Sequence, residues 1–285
     1  MKKFFAVTNE SKDLNLSFTH EAIDYLTSIG MECTGSLSIN ENQEGNYIHA
    51  NSNMVSSDTE FILVFGGDGT FIHVGKDLNA LNIPIIGINL GKLGFLTEIN
   101  PDDYKEDLKH ILNDQIHIES RMILEASVIR DGKEISNVLA FNDIVLTKTK
   151  TKGVIDFDVN VNDRFLNSYS SDGIIISTPT GSTGYNLSAG GPVVYPIAEI
   201  ILATPICAHS LNSRTIVFSA DAVIDLIAKN RNKNNESEMI ASFDGENDVL
   251  LNDGDIIRCK KSTATVKVLR LNNISFIEHL GKKMR

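Results

Sequence analysis

Residues 61–70 read FILVFGGDGT, an apolar run that passes directly into three glycines around one aspartate. An apolar run without alternation is typical of a strand buried on both faces of a parallel sheet. Glycines at the end of such a strand permit a tight turn, and their N–H groups can approach an anion closely. The pattern therefore predicts a buried strand, a phosphate-binding loop, and a helix that runs from the loop to about Leu81.

Asp68 is the unusual member of this loop, because a carboxylate repels a phosphate ligand. Its presence is explained if it binds a bridging Mg²⁺ or accepts a proton from an attacking hydroxyl group. The structural alternative is a tight turn in which Asp68 only caps the helix. Three glycines around one aspartate at the end of a buried strand favour the functional interpretation.

The first half of the chain alternates strand-like and helix-like segments around this loop. Strand candidates at 3–7, 61–65 and 83–88 alternate with helical spacing at 18–29 and 104–112. Such alternation indicates an α/β fold with a parallel sheet.

The second half is rich in strand signals. Segments 122–130 and 135–147 flank a hairpin turn at 131–134, and apolar residues alternate with polar ones over 155–161. Further strand candidates lie at 173–177, 223–228, 239–243 and 265–271. We therefore predict an α/β domain over residues 1–120 and a β-rich, sandwich-like domain over 121–285. The last residues of the second domain could pack back on the first.

Composition excludes several classes of function. A formal net charge of −11 argues against a nucleic-acid-binding protein and against docking on an acidic membrane. The longest apolar stretch, residues 195–209, contains two prolines and a glutamate and is too short to span a bilayer. The three cysteines follow no disulfide or metal-binding spacing. We therefore expect a cytoplasmic protein.

Two further elements carry polar groups that could bind a ligand. Residues 170–192 contain a short apolar strand followed by a loop dense in hydroxyl groups and glycine, which could supply hydrogen bonds to ribose, pyrophosphate or a base. Asn142 and Asp143 interrupt an apolar run that we interpret as one strand from Leu139 to Leu146. Alone, the hydroxyl-rich loop is equally compatible with an irregular turn, and the Asn142-Asp143 pair is more typical of a turn at the end of a strand than of a binding site.

Taken together, these elements resemble the NAD kinase family. Gly-Gly-Asp-Gly-Thr at 66–70 is similar to the family's first motif, Asn142-Asp143 to its Asn-acidic motif, and residues 172–192 to its longest motif. Gly-Lys-Leu-Gly-Phe-Leu at 91–96 resembles a further family loop. The matches keep the family's order over most of residues 60–215.

The resemblance implies ATP-dependent phosphorylation of the adenosine ribose 2′-hydroxyl of NAD, which gives NADP. Family members have an α/β N-terminal domain and a β-rich C-terminal domain, require a divalent cation and form dimers or tetramers. We expect Mg²⁺ as the cation, with no fixed protein ligand, and a homo-oligomer.

Carried over to this chain, the resemblance makes Asp68 the general base and brings Asp172 from a neighbouring subunit to the nicotinamide side. The residues expected to hold the phosphates of ATP are Gly66, Gly67, Gly69 and Thr70. The residues expected to bind NAD are Asp68, Gly69, Phe95, Asn142, Asp143, Ser170, Asp172, Thr180, Thr183, Gly184, Tyr185, Asn186, Leu187, Ser188, His209 and Glu246.

Four positions depart from the family pattern. Asp143 replaces the usual glutamate, Gly184 replaces alanine, Ser170 stands where some relatives have a basic residue, and Glu246 lies near a frequent glutamine. None of them removes the proposed base. They leave the choice between NAD and NADH open.

Two other functions share part of the evidence. A lipid kinase of the diacylglycerol or sphingosine type also carries Gly-Gly-Asp-Gly-Thr, but it does not explain the hydroxyl-rich loop over residues 178–188. A catalytically inactive NAD-sensing protein would keep the binding residues, although an intact Asp68 argues against it. A turnover assay distinguishes the enzyme from the sensor.

Overall fold

The computed structural model describes residues 2–37, 41–43, 46–91, 94–150, 153–208, 214–229, 239–272 and 276–283. The chain divides into two compact units. The first comprises Met1–Arg121 and Thr265–Arg285, and the second comprises Met122–Ala264. The first unit is therefore assembled from two separate stretches of sequence.

The α-helices are α1 (Ser17–Ser28), α2 (Asp68–Asp77), α3 (Tyr104–Leu112), α4 (Tyr185–Ser188) and α5 (Phe276–Lys283), with 3₁₀ turns at Leu14–Leu16, Ser52–Met54, Asn79–Leu81 and Thr180–Thr183. The strands are β1 (Lys3–Thr8), β2 (Glu32–Leu37), β3 (Glu41–Gln43), β4 (Asn46–Ile48), β5 (Phe61–Gly66), β6 (Ile85–Asn89), β7 (Thr97–Ile99), β8 (Ile116–Arg130), β9 (Lys133–Ala140), β10 (Asp143–Lys148), β11 (Ile155–Val161), β12 (Arg164–Ser171), β13 (Gly173–Ser177), β14 (Ile200–Ile206), β15 (Ile216–Ser219), β16 (Ile224–Lys229), β17 (Met239–Phe243), β18 (Glu246–Leu251) and β19 (Ile256–Leu271).

Parallel strands form the centre of the first unit, in the order β2-β1-β5-β6. All six residues of β5 are buried, as its apolar run predicts. Beyond β6 the sheet continues with β7 and with the end of β19, where Val268 pairs with Ile85 in parallel. Because the strands are parallel, the segments after β1, β5 and β6 leave the sheet at the same edge.

Helices cover this sheet with apolar side chains. Leu26 of α1 and Leu108 of α3 pack in one buried cluster with Phe4, Phe65 and Leu269 of the strands. The aromatic ring of Phe18 lies edge-on to that of Phe65, with centroids 6.1 Å apart. Burial of these side chains fixes the strand ends that carry the glycine-rich loop.

The second unit contains antiparallel sheets. One has the order β15-β14-β13-β10-β17-β18. Another joins β12, β11, β16 and β19, with β8 beside β19 and β9 beside β8. Ile144, Ile176 and Phe243 of the first sheet share a buried cluster with Phe157 and Leu226 of the second. Two sheets over one apolar core make the sandwich that the sequence predicts.

Most predicted elements of the first unit are confirmed within a few residues, and α3 matches the predicted bounds. Helix α2 is shorter than predicted, because it ends at Asp77 and a separate 3₁₀ turn follows it.

The prediction of a single strand over residues 135–147 is wrong. Strand β9 ends at Ala140, and β10 begins at Asp143 in the other sheet of the second unit. Asn142 therefore lies at a break between two sheets rather than inside a strand.

No helix in the described part of the chain is both long and apolar enough to cross a membrane.

Candidate functional site

The glycine-rich loop connects β5 to α2 at the edge where the parallel strands end. A Cβ atom on Gly66 would lie 2.6 Å from Oγ1 of Thr70, so only glycine lets the helix begin so close to the strand. The N–H of Leu90 donates to the Gly66 carbonyl at 2.7 Å, and that of Asn9 donates to the Phe65 carbonyl at 2.9 Å. These two hydrogen bonds connect the residues that follow β1 and β6 to the end of β5, where the loop begins.

Asp68 is the first residue of α2. Its carboxylate accepts hydrogen bonds from the backbone of residues 95–97, which lie just before β7 and at its start. Oδ2 accepts the N–H of Phe95 at 2.6 Å, and Oδ1 accepts the N–H groups of Leu96 and Thr97, each at 3.1 Å. The Thr97 hydroxyl also donates to Oδ1, at 3.1 Å. Four donors on one carboxylate hold it in a single orientation at the helix start.

The segment that holds Asp68 is itself fixed by a buried arginine. Arg270 of β19 donates from Nη2 to the Phe95 carbonyl at 3.2 Å, and its Nε lies 3.4 Å from Oε2 of Glu119. Lys283 of α5 lies over the Phe95 ring, 4.7 Å from its centroid. Lys92 and Leu93, which belong to the 91–96 motif, lie outside the described residues.

In the second unit, Asn142 and Asp143 lie on a turn organised by Asp244. The Asp244 carboxylate accepts the backbone N–H groups of Phe141, Asn142 and Asp143, at 2.7, 2.7 and 3.1 Å. Three donors from consecutive residues hold the break between β9 and β10 in one conformation. Asp244 was not among the predicted site residues, and the only signal for it in the sequence was its Asp-Gly turn with Gly245.

Asp143 is buried next to this second carboxylate. Burial, and then the negative charge of Asp244, raise the pKa of Asp143 to about 7. A carboxyl group with this pKa exists in both protonation states near neutral pH, so it can either donate or accept a hydrogen bond. Perturbed carboxyl groups of this kind cluster at functional sites.

The hydroxyl-rich loop packs directly on the Asn142-Asp143 turn. The N–H of Thr178 donates to the Asn142 carbonyl at 2.9 Å, and a Cβ on Gly181 would lie 2.2 Å from that same oxygen. A Cβ on Gly184 would lie 3.5 Å from Nδ2 of Asn142 and 3.9 Å from Oδ2 of Asp143. The structure thus brings together two elements that lie about 40 residues apart in sequence.

The side-chain amide oxygen of Asn142 is buried within the Asn142-Asp143 turn. Its Oδ1 is inaccessible to solvent and has no hydrogen-bond partner among the residues that the structure describes. Buried polar atoms without partners are uncommon in native proteins, and a ligand is one way to satisfy them. This orphaned oxygen identifies the Asn142-Asp143 turn as a candidate binding site.

The loop residues divide into internal and exposed ones. Asn186 is fully buried, its Nδ2 donates to the Ser182 and Pro192 carbonyls, and its Oδ1 accepts the Thr204 hydroxyl at 2.6 Å. Tyr185 and Leu187 are exposed. Asn186 therefore shapes the loop from inside, whereas its two neighbours present side chains outward.

The other predicted site residues occupy varied positions. Ser170 and Asp172 lie at the end of β12 and just after it, and Asp172 pairs with Lys148 at 2.6 Å. Glu246 is the first residue of β18. Thr180 is buried and Thr183 is half-buried in the 3₁₀ turn, and Gly69 is exposed on α2. His209 lies outside the described residues.

Comparison with known proteins identifies the family. The model of the ATP-NAD kinase N-terminal domain matches residues 12–116, and that of the ATP-NAD kinase C-terminal domain matches residues 141–271. The chain belongs to the NAD kinase family. The family predicted from the sequence is confirmed, and with it the kinase class of enzyme; the lipid kinase and sensor alternatives are not favoured.

Relatives of the NAD kinase family align over the whole chain. The NAD kinase of Lachnoclostridium phytofermentans is 40% identical over 285 residues, with 99% of each chain covered. That of Lachnospira eligens is 38% identical over 295 residues, with 100% of each covered.

Solved structures of the family share the fold. An NAD kinase from Archaeoglobus fulgidus, in complex with ATP, superimposes with a TM-score of 0.73 at 26% identity, covering 99% of this chain and 98% of that one. A yeast NADH kinase complexed with NADH gives a TM-score of 0.84 at 22% identity, covering 100% and 87%. The predicted combination of an α/β domain and a β-rich domain is confirmed.

Proposed function

We propose that this NAD kinase transfers the terminal phosphoryl group of ATP to the adenosine ribose 2′-hydroxyl of NAD, with Asp68 as the general base. The observation that carries the proposal is the Asp68 carboxylate, held in one orientation by the segment at 95–97 at the start of α2. An oriented carboxylate beside a glycine-rich anion loop suits deprotonation of an alcohol next to a phosphate.

The hydrogen bonds of Asp68 leave one place for the substrate. Among the residues that the structure describes, Oδ1 accepts from Leu96 and twice from Thr97, whereas Oδ2 accepts from Phe95 alone. Because each carboxylate oxygen offers about two lone-pair sites, Oδ2 retains one that can accept the 2′-hydroxyl proton.

The reaction follows from this geometry. The 2′-oxygen forms a bond to the γ-phosphorus as the bond to the β,γ-bridging oxygen breaks, the electron pair leaves on ADP, and the hydroxyl proton passes to Oδ2 of Asp68. Such a transfer depends on positioning and on neutralisation of charge rather than on a covalent enzyme intermediate.

We assign the phosphates of ATP to Gly66, Gly67, Gly69 and Thr70. Mg²⁺, when bound with ATP, would neutralise charge on the β- and γ-phosphates. The donor set fits an ion carried by the nucleotide, because the Asp68 carboxylate already accepts from four donors, and Mg²⁺ readily keeps water and substrate phosphates as its ligands.

The Asn142-Asp143 turn is proposed to bind the adenosine portion of NAD. The buried Oδ1 of Asn142 would accept a hydrogen bond from it, and Asp143, with its pKa of about 7, would bond a ribose hydroxyl in either protonation state. The remaining proposed NAD contacts are Gly69, Phe95, Ser170, Asp172, Thr180, Thr183, Gly184, Tyr185, Asn186, Leu187, Ser188, His209 and Glu246. Asn186 would act by shaping the loop, since its amide is used within the protein.

We further propose a cytoplasmic homo-oligomer in which Asp172 approaches NAD from a neighbouring subunit. Asp172 pairs with Lys148 within its own chain, so this contact would have to include or replace that ion pair. Light scattering of the purified protein measures the oligomeric state. A monomer that turns over at the full rate would contradict the role across subunits.

Asp68→Asn tests the proposed base. Asparagine keeps the size of the side chain but cannot take up the proton, so turnover of ATP and NAD to NADP should fall about 100-fold or more while NAD binding persists. NADP is read with an NADP-specific dehydrogenase, and NAD binding is read by calorimetry. Asp24→Asn, at an exposed position of α1, removes the same charge elsewhere in the unit and should retain full activity. An unchanged kcat in Asp68→Asn would refute the assignment.

A further inference from the structure

The segment that follows β1 contacts the glycine-rich loop through both the backbone and the side chain of Asn9. The Asn9 backbone bonds the end of β5, and its side-chain Nδ2 donates to the Thr70 hydroxyl of α2 at 3.0 Å. The N–H of Lys12 donates to the Asn9 carbonyl at 3.0 Å, which closes a turn. Lys12 is thereby held beside the loop although it lies far from it in sequence.

The Lys12 ammonium group lies over Gly67. A Cβ atom on Gly67 would be 2.5 Å from Nζ of Lys12, so the missing side chain provides the room that the cation occupies. The backbone of Gly67 is extended, with φ of −129°, so a side chain there would displace the Lys12 ammonium group rather than strain the backbone.

The charge of Lys12 is not neutralised by its neighbour in sequence. Asp13 is buried, and its carboxylate accepts the N–H and hydroxyl groups of Thr19, at 2.8 and 2.6 Å, at the start of α1. Lys12 itself is exposed and forms no ion pair with any carboxylate of the described residues. A cation without a partner beside an anion-binding loop is suited to an anionic ligand.

Lys12 also lines a cavity of about 460 Å³ at the same edge of the sheet, with Asn89, Gly91 and Asn100 on its walls. Oδ1 of Asn89 accepts the N–H of Gly91 at 3.2 Å, while its amide NH₂ group has no partner among the described residues. Asp13 also lines the cavity, but its carboxylate accepts hydrogen bonds from Phe18 and Thr19 at the start of α1. The cavity thus offers an anion the Lys12 cation and the neutral Asn89 donor, and its volume falls within the range of small-molecule sites.

We propose that this cavity binds the phosphate chain of the phosphoryl donor and that Nζ of Lys12 contacts the phosphates that lie over Gly67. The inference rests on the proposed function. It extends the proposed phosphate site from the glycine-rich loop to the cavity that Lys12 lines. The shared chemistry is a chain of phosphates, which either ATP or inorganic polyphosphate can supply.

Lys12→Met and Lys12→Arg test the proposal through the separate KM values of the two substrates. Loss of one charge-assisted contact should raise the KM for ATP about 10- to 100-fold in Lys12→Met, whereas the KM for NAD stays within about twofold. Lys12→Arg keeps the charge and should recover most of the loss. Lys109→Met, on the exposed surface of α3 in the same unit, is the matched control and should match the wild type.

Binding of inorganic tripolyphosphate, measured by calorimetry, tests the cavity without turnover. We expect the wild type to bind it and Lys12→Met to bind it about tenfold or more weakly. Failure of the wild type to make NADP would overturn the proposed function but leave this arm intact. An unchanged KM for ATP in Lys12→Met, or equal tripolyphosphate binding by both proteins, would overturn the Lys12 proposal. NADP formation with inorganic polyphosphate in place of ATP then identifies which phosphate chain is used.

Discussion

Gly94 and Asp68 are in contact so closely that a Cβ atom on Gly94 would lie 1.7 Å from Oδ1 of the Asp68 carboxylate. No side chain fits there unless the carboxylate or the backbone moves. The orientation of the proposed base therefore depends on the absence of one methyl group in a segment 26 residues further along the chain.

Gly94→Ala should consequently inactivate the enzyme without unfolding it. The methyl group would push the Asp68 carboxylate away from Phe95, Leu96 and Thr97, and a displacement of about 1 Å can reduce turnover about 100-fold. Gly281→Ala is the matched control, because a Cβ on this helical glycine of α5 would meet nothing within 4 Å. Steady-state kinetics with a thermal melt measure the effect, and full activity in Gly94→Ala would contradict the described geometry.

The Thr97 hydroxyl should act as a positioning group for Asp68. Thr97→Val keeps the shape of the buried side chain and the backbone N–H groups of Leu96 and Thr97, which also donate to Oδ1. It removes the hydroxyl bond to Oδ1. We expect kcat to fall about tenfold with little change in either KM. Thr97→Ser, which retains a hydroxyl group, should restore most of the rate. A valine variant that is as fast as the serine variant would show that the hydroxyl does not contribute.

Asp143 should make the stability of the protein depend on pH. Burial and the charge of Asp244 raise its pKa to about 7, so between about pH 4 and 7 the folded protein binds a proton that the unfolded chain has lost. The unfolding free energy contributed by this group therefore falls as pH rises through that window and levels off above it.

Asp143→Asn removes this titration, so the variant should gain stability relative to the wild type by about 2 kcal/mol between pH 5 and pH 8. Urea unfolding of both proteins at the two pH values gives the difference directly. Comparison with the wild type at each pH cancels the titration of groups that do not interact with Asp143. A difference that does not vary with pH would place the pKa of Asp143 near its ordinary value.

The Arg130 side chain is expected to stabilise the second unit by pairing with a buried carboxylate. It donates from Nε and Nη2 to Asp255, with a bond of 2.7 Å from Nη2, and the Asp255 side chain is only 2% exposed. Arg130→Met would leave that charge buried without its partner and should cost about 2–4 kcal/mol of unfolding free energy.

Adding Asp255→Asn to Arg130→Met should recover part of the loss, because the buried charge is then gone. Lys261→Met offers a comparison, since its partner Glu199 is exposed and loss of the pair should cost about 1 kcal/mol or less. Denaturant unfolding of these variants tests the ranking. Equal losses at Arg130 and Lys261 would show that burial of the carboxylate does not decide the cost.

The sequence could predict the parts of the structure that depend on local patterns. The apolar run at 61–65 and the glycines after it predict both β5 and the start of α2, because burial on two faces and a tight turn leave clear signatures. The long strand predicted over residues 135–147 was wrong for the opposite reason. Its break at Asn142 is fixed by Asp244, about 100 residues away, and no local pattern reveals such a partner.

The candidate site was predictable in its motifs but not in its contacts. Asp68 stood out because an aspartate is unexpected in an anion loop. Thr97 and Lys12 lie outside the motifs, and their significance arises only from hydrogen bonds and close approaches formed by the fold.

The pairing of Val268 with Ile85 has a consequence for folding of the protein during its synthesis on the ribosome. The first unit begins before the second unit in the sequence, yet one of its strands ends after the second unit. Arg270, which bonds the Phe95 carbonyl, arrives on that same strand. All residues of the second unit are therefore made before the first unit can be completed, and Asp68 is fully supported only after β19 has been made.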